Sequence, residues 1–349
     1  RGVEWVRMLD FNDDLETPLP WGEINSLALP YETYKLALTD DLLSAVFETE
    51  YLTAEVRGNL NDPDESGYLS FDTSGQYWVR SGVAGFDTRT ETHAATHFYL
   101  PERYTDAFGN TTTLSYDSRD LYVASSTDPV GNTTQVRQFD FRVLAPAELE
   151  DINGNRSQVY FDVLGLPTAM AMLGKGTDAD GLSGFDDALA NPDLADLTAF
   201  FNGGVYNEAQ ARQWLGSATA RYDYHFGETA EADGNLTWGA QPAAACSIMR
   251  EQHHAALEPG QISPLQVGFE YSDGMGTVLV QKVQAEPDPD DDSDNPPLRW
   301  IANGKTILNN KGNPVKQYEP YFSPSGLRFE EPMEVGVTAV SYYDAAGRQ

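Results

Sequence analysis

Between residues 106 and 162, short runs of alternating apolar and polar positions recur behind one repeated turn. The first copy is Asp106-Ala-Phe-Gly109-Asn110-Thr-Thr-Thr-Leu-Ser-Tyr116-Asp117. The second is Asp128-Pro-Val-Gly131-Asn132-Thr-Thr-Gln-Val-Arg-Gln-Phe139-Asp140, and the third Asp151-Ile-Asn-Gly154-Asn155-Arg-Ser-Gln-Val-Tyr-Phe161-Asp162. The glycines lie 22 and then 23 residues apart. A period of that size predicts one supersecondary unit stacked on copies of itself. Asp-x-x-Gly-Asn is turn chemistry, because Asp bonds back to nearby backbone N–H groups while Gly and Asn tolerate positive φ. The Thr/Ser/Gln/Val run that follows has strand propensity. Each unit therefore reads as a turn and a strand, and the three as a meander of adjacent antiparallel strands. The middle copy carries one extra residue, which a β-bulge would absorb.

Outside the repeats the texture changes. Residues 1–100 are mixed: 27–38 reads as extended structure broken at Pro30, and Thr39 caps a short helix with acids in its first turn. From Gly67 to Leu100 aromatics alternate with polar residues as in strands. Residues 101–173 hold the repeats, and residues 174–220 a loop followed by a helical insertion. One helix there starts at Asn191-Pro192 and ends near Gly203-Gly204; a second runs from Asn207 through Trp214 to Gly216. Residues 221–349 return to strands, with Asp273-Gly-Met-Gly276 repeating the turn. Residues 286–297 combine six acids with four prolines and read as a flexible solvated loop rather than a metal site.

Composition fits many short strands: 349 residues with 30 Gly, 20 Pro, 16 Phe, 18 Tyr and 6 Trp. No run of about 18 apolar residues is present, so no helical membrane span is expected. A start at Arg1 without a leader suits a mature product or an excised piece. The single Cys246 cannot form an intramolecular disulfide and reads as a small buried residue. The net charge of −32 disfavours nucleic acid and anionic membrane as partners. It reads as solubility, with adaptation to saline surroundings as the alternative.

Candidate chemistry is sparse. Asn303-Gly-Lys-Thr306 lacks the earlier glycine of a phosphate loop and reads as a β-turn. His93 and His97 lack the Glu of a metalloprotease motif, and His253-His254 has no partner cluster in sequence. Asp151, Asn153, Asn155 and Asp162 fall at calcium-loop spacings, but Arg156 stands where that loop needs Gly. The better calcium candidate is Asp178, Asp180 and Asp186, on a loop with no other evident duty. Asn110, Asn132, Asn155 and Asn235 form glycosylation sequons, three of them inside the repeated turn. No catalytic group emerges.

The ending Tyr343-Asp344-x-x-Gly347-Arg348 resembles the YD repeats of Rhs proteins. Phe98-Tyr-Leu-Pro-Glu-Arg-Tyr-x-Asp-x-Phe-Gly-Asn-Thr-Thr, Arg142-Val-Leu-x-Pro and Asp151-x-Asn-Gly-Asn-Arg-Ser resemble the B component of bacterial insecticidal Tc toxin complexes. So do Tyr271-Ser-Asp-Gly-x-Gly, Gln284-Ala-Glu-Pro, Asn309-Asn-Lys-Gly-Asn-Pro-Val-Lys-Gln-Tyr-Glu-Pro-Tyr-Phe-Ser and, near the start, Gly22-Glu-Ile-Asn-Ser-Leu-Ala-Leu-Pro-Tyr. The resemblance implies a mainly β fold of repeated antiparallel strand–turn units forming a curved shell wall, with a small helical insertion. It implies a secreted, non-enzymatic wall segment that joins the C component around a toxic effector polypeptide. The A component would be met only through a propeller that this sequence does not contain. No catalytic residue and no cofactor is carried over, calcium at the three aspartates excepted. The alternative is a secreted or cell-surface adhesion module with a carbohydrate- or protein-binding face. A polysaccharide hydrolase using a carboxylate pair is a third reading.

Overall fold

The alternating runs become strands in a chain that is 36% strand and 14% helix, with antiparallel pairing throughout its sheets. The computed structural model describes residues 4–71, 73–86, 91–239, 241–294, 296–336 and 338–349. Contacts divide the chain into two compact units, Arg1–Arg137 and Gln138–Gln349.

In the first unit β1 (Val6–Asp10) pairs with β2 (Pro30–Thr39), which opens at the proline. Thr39 Oγ1 accepts from Leu42 N at 3.1 Å and so caps α1 (Asp40–Val46), whose first turn holds Asp40 and Asp41 against the helix dipole. Two short helices, α2 (Ala54–Leu60) and α3 (Pro63–Ser66), lead to β3 (Tyr68–Leu69) and β4 (Gln76–Arg80). These complete a four-stranded sheet of order β1-β2-β4-β3. After β5 (Val83–Gly85) comes α4 (Glu91–Thr96), where strand-like alternation was expected. A helix wins because it buries Ala94 in a small core with Phe11, Leu15 and Phe86. Then follow β6 (Arg103–Thr105), β7 (Thr111–Tyr116), β8 (Val123–Thr127) and β9 (Thr133–Asp140), the last straddling the division between units.

The repeats differ from expectation in one respect. β7 and β9 are not neighbours, because β8 lies between them and pairs with both. A period of 22–23 residues is long enough for two strands and two turns, so each copy is a hairpin. The longer middle copy gives a β9 of eight residues, against six in β7.

The second unit continues with β10 (Ala145–Glu150), β11 (Arg156–Phe161) and β12 (Pro167–Leu173). Three helices intervene: α5 (Asp187–Ala190), α6 (Leu194–Asn202) and α7 (Glu208–Leu215). The last two match the expected pair, with α6 starting two residues beyond Pro192 and Asn207 Oδ1 capping α7 through Gln210 N at 3.1 Å. β13 (Ala220–His225) is followed by a small hairpin, β14 (Thr229–Ala230) and β15 (Leu236–Thr237). Next come β16 (Ala243–Arg250), β17 (Leu265–Ser272), β18 (Val278–Pro287) and β19 (Leu298–Ala302). A second small hairpin, β20 (Thr306–Leu308) with β21 (Pro314–Gln317), precedes β22 (Tyr321–Phe322). The main sheet of this unit runs β10-β11-β12-β13-β16-β17-β18-β19-β22.

Strand alternation gives that sheet one covered face. Ile248, Cys246, Phe269, Tyr271, Val280, Trp300 and Ala302 lie on it, buried with Phe200, Phe201, Ala211 and Trp214 of α6 and α7. Small residues on the strands, such as Ala169 and Ala302, are fully buried where helix side chains press in. Each large side chain removed from water there contributes about 1.5–3 kcal/mol. Ile248 is wholly buried. Ile248→Ala is expected to destabilise the protein by about 2–5 kcal/mol in urea unfolding, with the sheet retained in the far-ultraviolet spectrum.

Candidate functional site: an aspartate-turned sheet with buried ionic anchors

The repeated turn has one hydrogen-bond pattern at every copy. Asp106 Oδ1 accepts from Phe108 N (2.9 Å) and Asn110 N (2.8 Å), and Oδ2 accepts from Asn110 Nδ2 (2.9 Å). Asp128 and Asp151 repeat this with Asn132 and Asn155. The backbone closes the loop twice: Asp128 N donates to Asn132 O (2.9 Å), and Gly131 N to Asp128 O (3.1 Å). Gly131 sits at φ +93°, the left-handed conformation that a three-residue hairpin loop demands of its last position. Thr127 and Thr133 then join hydroxyls across the hairpin at 2.9 Å.

The same geometry recurs at Asp162, Asp273 and Asn309. It also explains the terminal Tyr-Asp unit. Asp344 Oδ1 accepts from Ala346 N and Arg348 N, both at 2.9 Å, and Arg348 Nε reaches Oδ2 at 2.8 Å in the place of the asparagine amide. Tyr343 and Tyr116 each donate their hydroxyl to a proline carbonyl, of Pro314 (2.7 Å) and Pro101 (2.8 Å). The Asn110, Asn132 and Asn155 amides are thus turn members.

Three ionic anchors fix the second unit. Lys282, wholly buried on the covered face, donates to Ser323 Oγ (2.8 Å), Ser325 Oγ (3.0 Å) and Gly326 O (3.0 Å), and also to Arg328 O. Glu330 lies 3.4 Å away. Burial draws the Lys282 ammonium below its usual range, against the pull of Glu330. Arg221 and Asp223 form the second anchor, and burial pushes the Asp223 carboxyl up despite the guanidinium. Asp180 is the third. Its Oδ2 accepts from Thr219 Oγ1 (2.6 Å) and His253 Nδ1 (2.9 Å), and its Oδ1 from His254 N (2.6 Å). Burial acts to raise its pKa, but those bonds and Arg250 hold it below the ordinary carboxylate value.

The three aspartates of the calcium expectation have separate bonds. Asp180 is committed to protein donors, Asp186 caps α5 through Ala188 N and Leu189 N, and Asp178 is exposed in a turn of its own. Among the described residues no group of three or more His, Cys, Asp or Glu side chains is arranged to hold a metal ion. Asp151 and Asp162 begin turns at opposite ends of β11, roughly 20 Å apart by strand rise, so the calcium-loop spacing does not gather them either. His93 and His97 stack with ring centroids 4.3 Å apart, and Glu102 and Asp120 face one each. His253 serves Asp180. Lys305 pairs with Glu334 at 3.0 Å, and in place of the expected β-turn Asn303–Lys305 is an irregular link from β19 to β20, which starts at Thr306. Cys246 is a buried free thiol. The acidic loop begins later than expected, since β18 continues through Pro287. Its Asp288–Asp294 stretch is exposed, with Arg299 3.7 Å from Asp288, and Asn295 lies outside the described residues. Lys282–Glu330 and Arg221–Asp223 escaped sequence reasoning; a lone Lys at an apolar step of Val280-Gln-Lys282 was the available signal.

No protein-family model matches the sequence, and no curated protein does. Solved structures match across nearly the whole chain. A crystal structure of TcdB2–TccC3 aligns with a TM-score of 0.63 at 18% identity, covering 99% of this chain and 16% of that one. The structure of the Photorhabdus luminescens Tc holotoxin pore aligns at 0.61 with 17% identity, covering 95% and 17%. The chain therefore has a Tc-toxin B/C-component-like fold and spans about a sixth of the length of the chains it matches.

The turn carboxylates of Asp106, Asp128, Asp151, Asp273 and Asp344 are held below their ordinary pKa, Asp128 first by the Asn132 side chain and Asp106 first by that of Asn110. A depressed carboxyl contributes stability that is present above its unfolded pKa of about 4 and lost as pH falls through the lower folded value. Urea midpoints are expected to hold from pH 7 down to about 5 and then decline. Asp128→Asn should keep the turn, as Asn309 does naturally, and shrink the acid-side decline; an unchanged pH profile would contradict the assignment. Lys282→Met should destabilise by about 3–5 kcal/mol, because it strands Glu330 and the carbonyls that now accept from the ammonium. Adding Glu330→Gln should recover part of that loss in the same unfolding assay.

Proposed function

We propose that this chain is a structural, non-enzymatic wall segment of a secreted Tc-toxin-type shell that encloses an effector polypeptide. The observation that supports the reading most is the alignment of 99% of the chain with TcdB2–TccC3, carried on a strand meander whose turn recurs from Asp106 to Asp344. The residues fit such a duty. The turns close hairpins locally, and the Lys282 and Asp180 anchors tie covering segments to the sheet. A C component and an enclosed effector are the partners this reading names.

The test is expression of the open reading frame that contains this chain together with a C component, followed by electron microscopy and limited proteolysis. Closed hollow particles that shield an enclosed polypeptide from protease are the expected result. Open monomers with fully accessible cargo, or glycan-array binding without particle formation, would replace the wall with an adhesion module.

Isolated, the chain should associate. β5 and β22 stand at the ends of the strand order, and bare edges invite pairing. The charge of −32 opposes association at low ionic strength, and screening removes that protection. Light scattering is expected to report growing mass across a salt series; a strict monomer at every salt level would count against open edges.

A further inference from the structure

A cavity of about 280 Å³ in the first unit opens between the start of β2, β5 and the stretch from Tyr99 into β6. Tyr31, Tyr99, Tyr104 and Ala84 line it. Tyr31 and Tyr99 pack against the small core around Phe11 and Phe86, yet each stays partly open to solvent. Tyr104 is 47% exposed. It lies directly opposite Ala84 in the β5–β6 pair, so the two side chains share one face of the sheet. The alanine methyl leaves room beside the ring. The chain reaches the cavity through two consecutive left-handed residues, Phe98 at φ +56° and Tyr99 at φ +53°. That conformation is costly for bulky L-residues, and Phe98 recovers little by burial, being 74% exposed. What the bend secures is Tyr99, seated on the core and in the cavity wall.

Among the described residues the single charged group in the wall is Glu32, and no base lines it. Glu32 is already engaged: its carboxylate accepts from Arg80 Nε (2.9 Å), Arg80 Nη2 (3.0 Å), Tyr34 Oη (2.6 Å) and Gly82 N (3.2 Å). A primary ammonium is held by donating to acceptors, and the one carboxylate within reach is taken. An anion would meet no base and would enter against the field of a chain of charge −32. A quaternary ammonium needs neither donor nor acceptor. Its methyl groups are apolar, and its diffuse charge is drawn to tyrosine ring faces. The volume is close to the roughly 300 Å³ at which small-ligand pockets begin, enough for a choline-sized head.

We propose that this cavity binds a quaternary ammonium group, held against the rings of Tyr31, Tyr99 and Tyr104. The site is independent of the wall reading, so each can fail without the other. Ligand-observed NMR titration of the whole chain tests it, with choline as probe at roughly 0.15 M salt to screen the acidic surface. The neutral carbon isostere 3,3-dimethylbutan-1-ol and the primary ammonium ethanolamine are the comparisons. Choline is expected to bind about fivefold tighter than either. Tyr104→Leu should weaken choline about fivefold, whereas Tyr104→Phe, which keeps the ring, should not. Circular dichroism and melting temperature check that both variants fold. Should Tyr104→Leu unfold, the ratio of choline to isostere in the native chain decides. No binding of choline would overturn the proposal. So would an isostere or ethanolamine that binds as well as choline, the first meaning a plain apolar pocket. Equal choline affinity in folded Tyr104→Leu would overturn it too, because the ion would then be gathered by surface carboxylates.

Discussion

The hairpins of this sheet that carry the repeated turn depend on a carboxylate that accepts two backbone N–H groups at the mouth of each. In Asp128 one oxygen gathers Val130 N and Asn132 N, and the other holds the Asn132 amide. The bonds fix loop length at three residues, and loop length fixes which residues face each other across the hairpin. A slip of one residue would carry the whole buried set of a strand to the other face. The register of β17 on β18, with Phe269 opposite Lys282, follows from such a turn at Asp273. Exchange of Asn for Arg348 at the end of the motif preserves that function, since a guanidinium N–H reaches the same oxygen.

Turns alone would leave the sheet with an uncovered apolar face, and the insertion between β12 and β13 supplies the cover. Its helices contribute Phe200, Phe201 and Trp214, whose rings meet Phe269 and one another at centroid distances of 5.0–5.8 Å. Ionic anchors on this face cost desolvation that apolar residues of like volume would avoid. What they add is placement. Lys282 gathers four acceptors from residues 323–328, a segment with almost no regular structure of its own, and thereby sets where that segment crosses the sheet. Asp180 does the same for the loop after β12, joining it to Thr219, His253 and His254.

The parts of this architecture that were legible in the sequence are those whose causes lie within a few residues. Asp, Gly and Asn of the turn are contiguous, and Thr39 and Asn207 act on N–H groups three residues ahead, so hairpins and caps could be read directly. The second strand of each repeat was missed because segments such as Ala145-Pro-Ala-Glu-Leu-Glu150 carry no repeated residue, only a repeated length. α4 was misread because its alternation is short enough to suit either period. The bonds of Asp180 could not be read from the sequence, because its partners are 39, 73 and 74 residues away.

Acidity and architecture meet in one last constraint. A chain with 54 acids and 22 bases cannot neutralise its carboxylates by pairing, so each must be solvated or given other donors. The turns provide those donors from asparagine amides and then the backbone at Asp106, Asp128 and Asp151, and from the backbone at Asp273, which is why these groups are held below their ordinary pKa values while remaining at the surface. The scarce bases then serve buried carboxylates: Arg80 on Glu32, Arg221 on Asp223, Lys282 beside Glu330. This division of labour also defines where the scheme is incomplete. At Arg221 one guanidinium nitrogen and at Asp223 one carboxylate oxygen remain buried without a hydrogen-bond partner, as do Glu102 Oε2 and Glu228 Oε2.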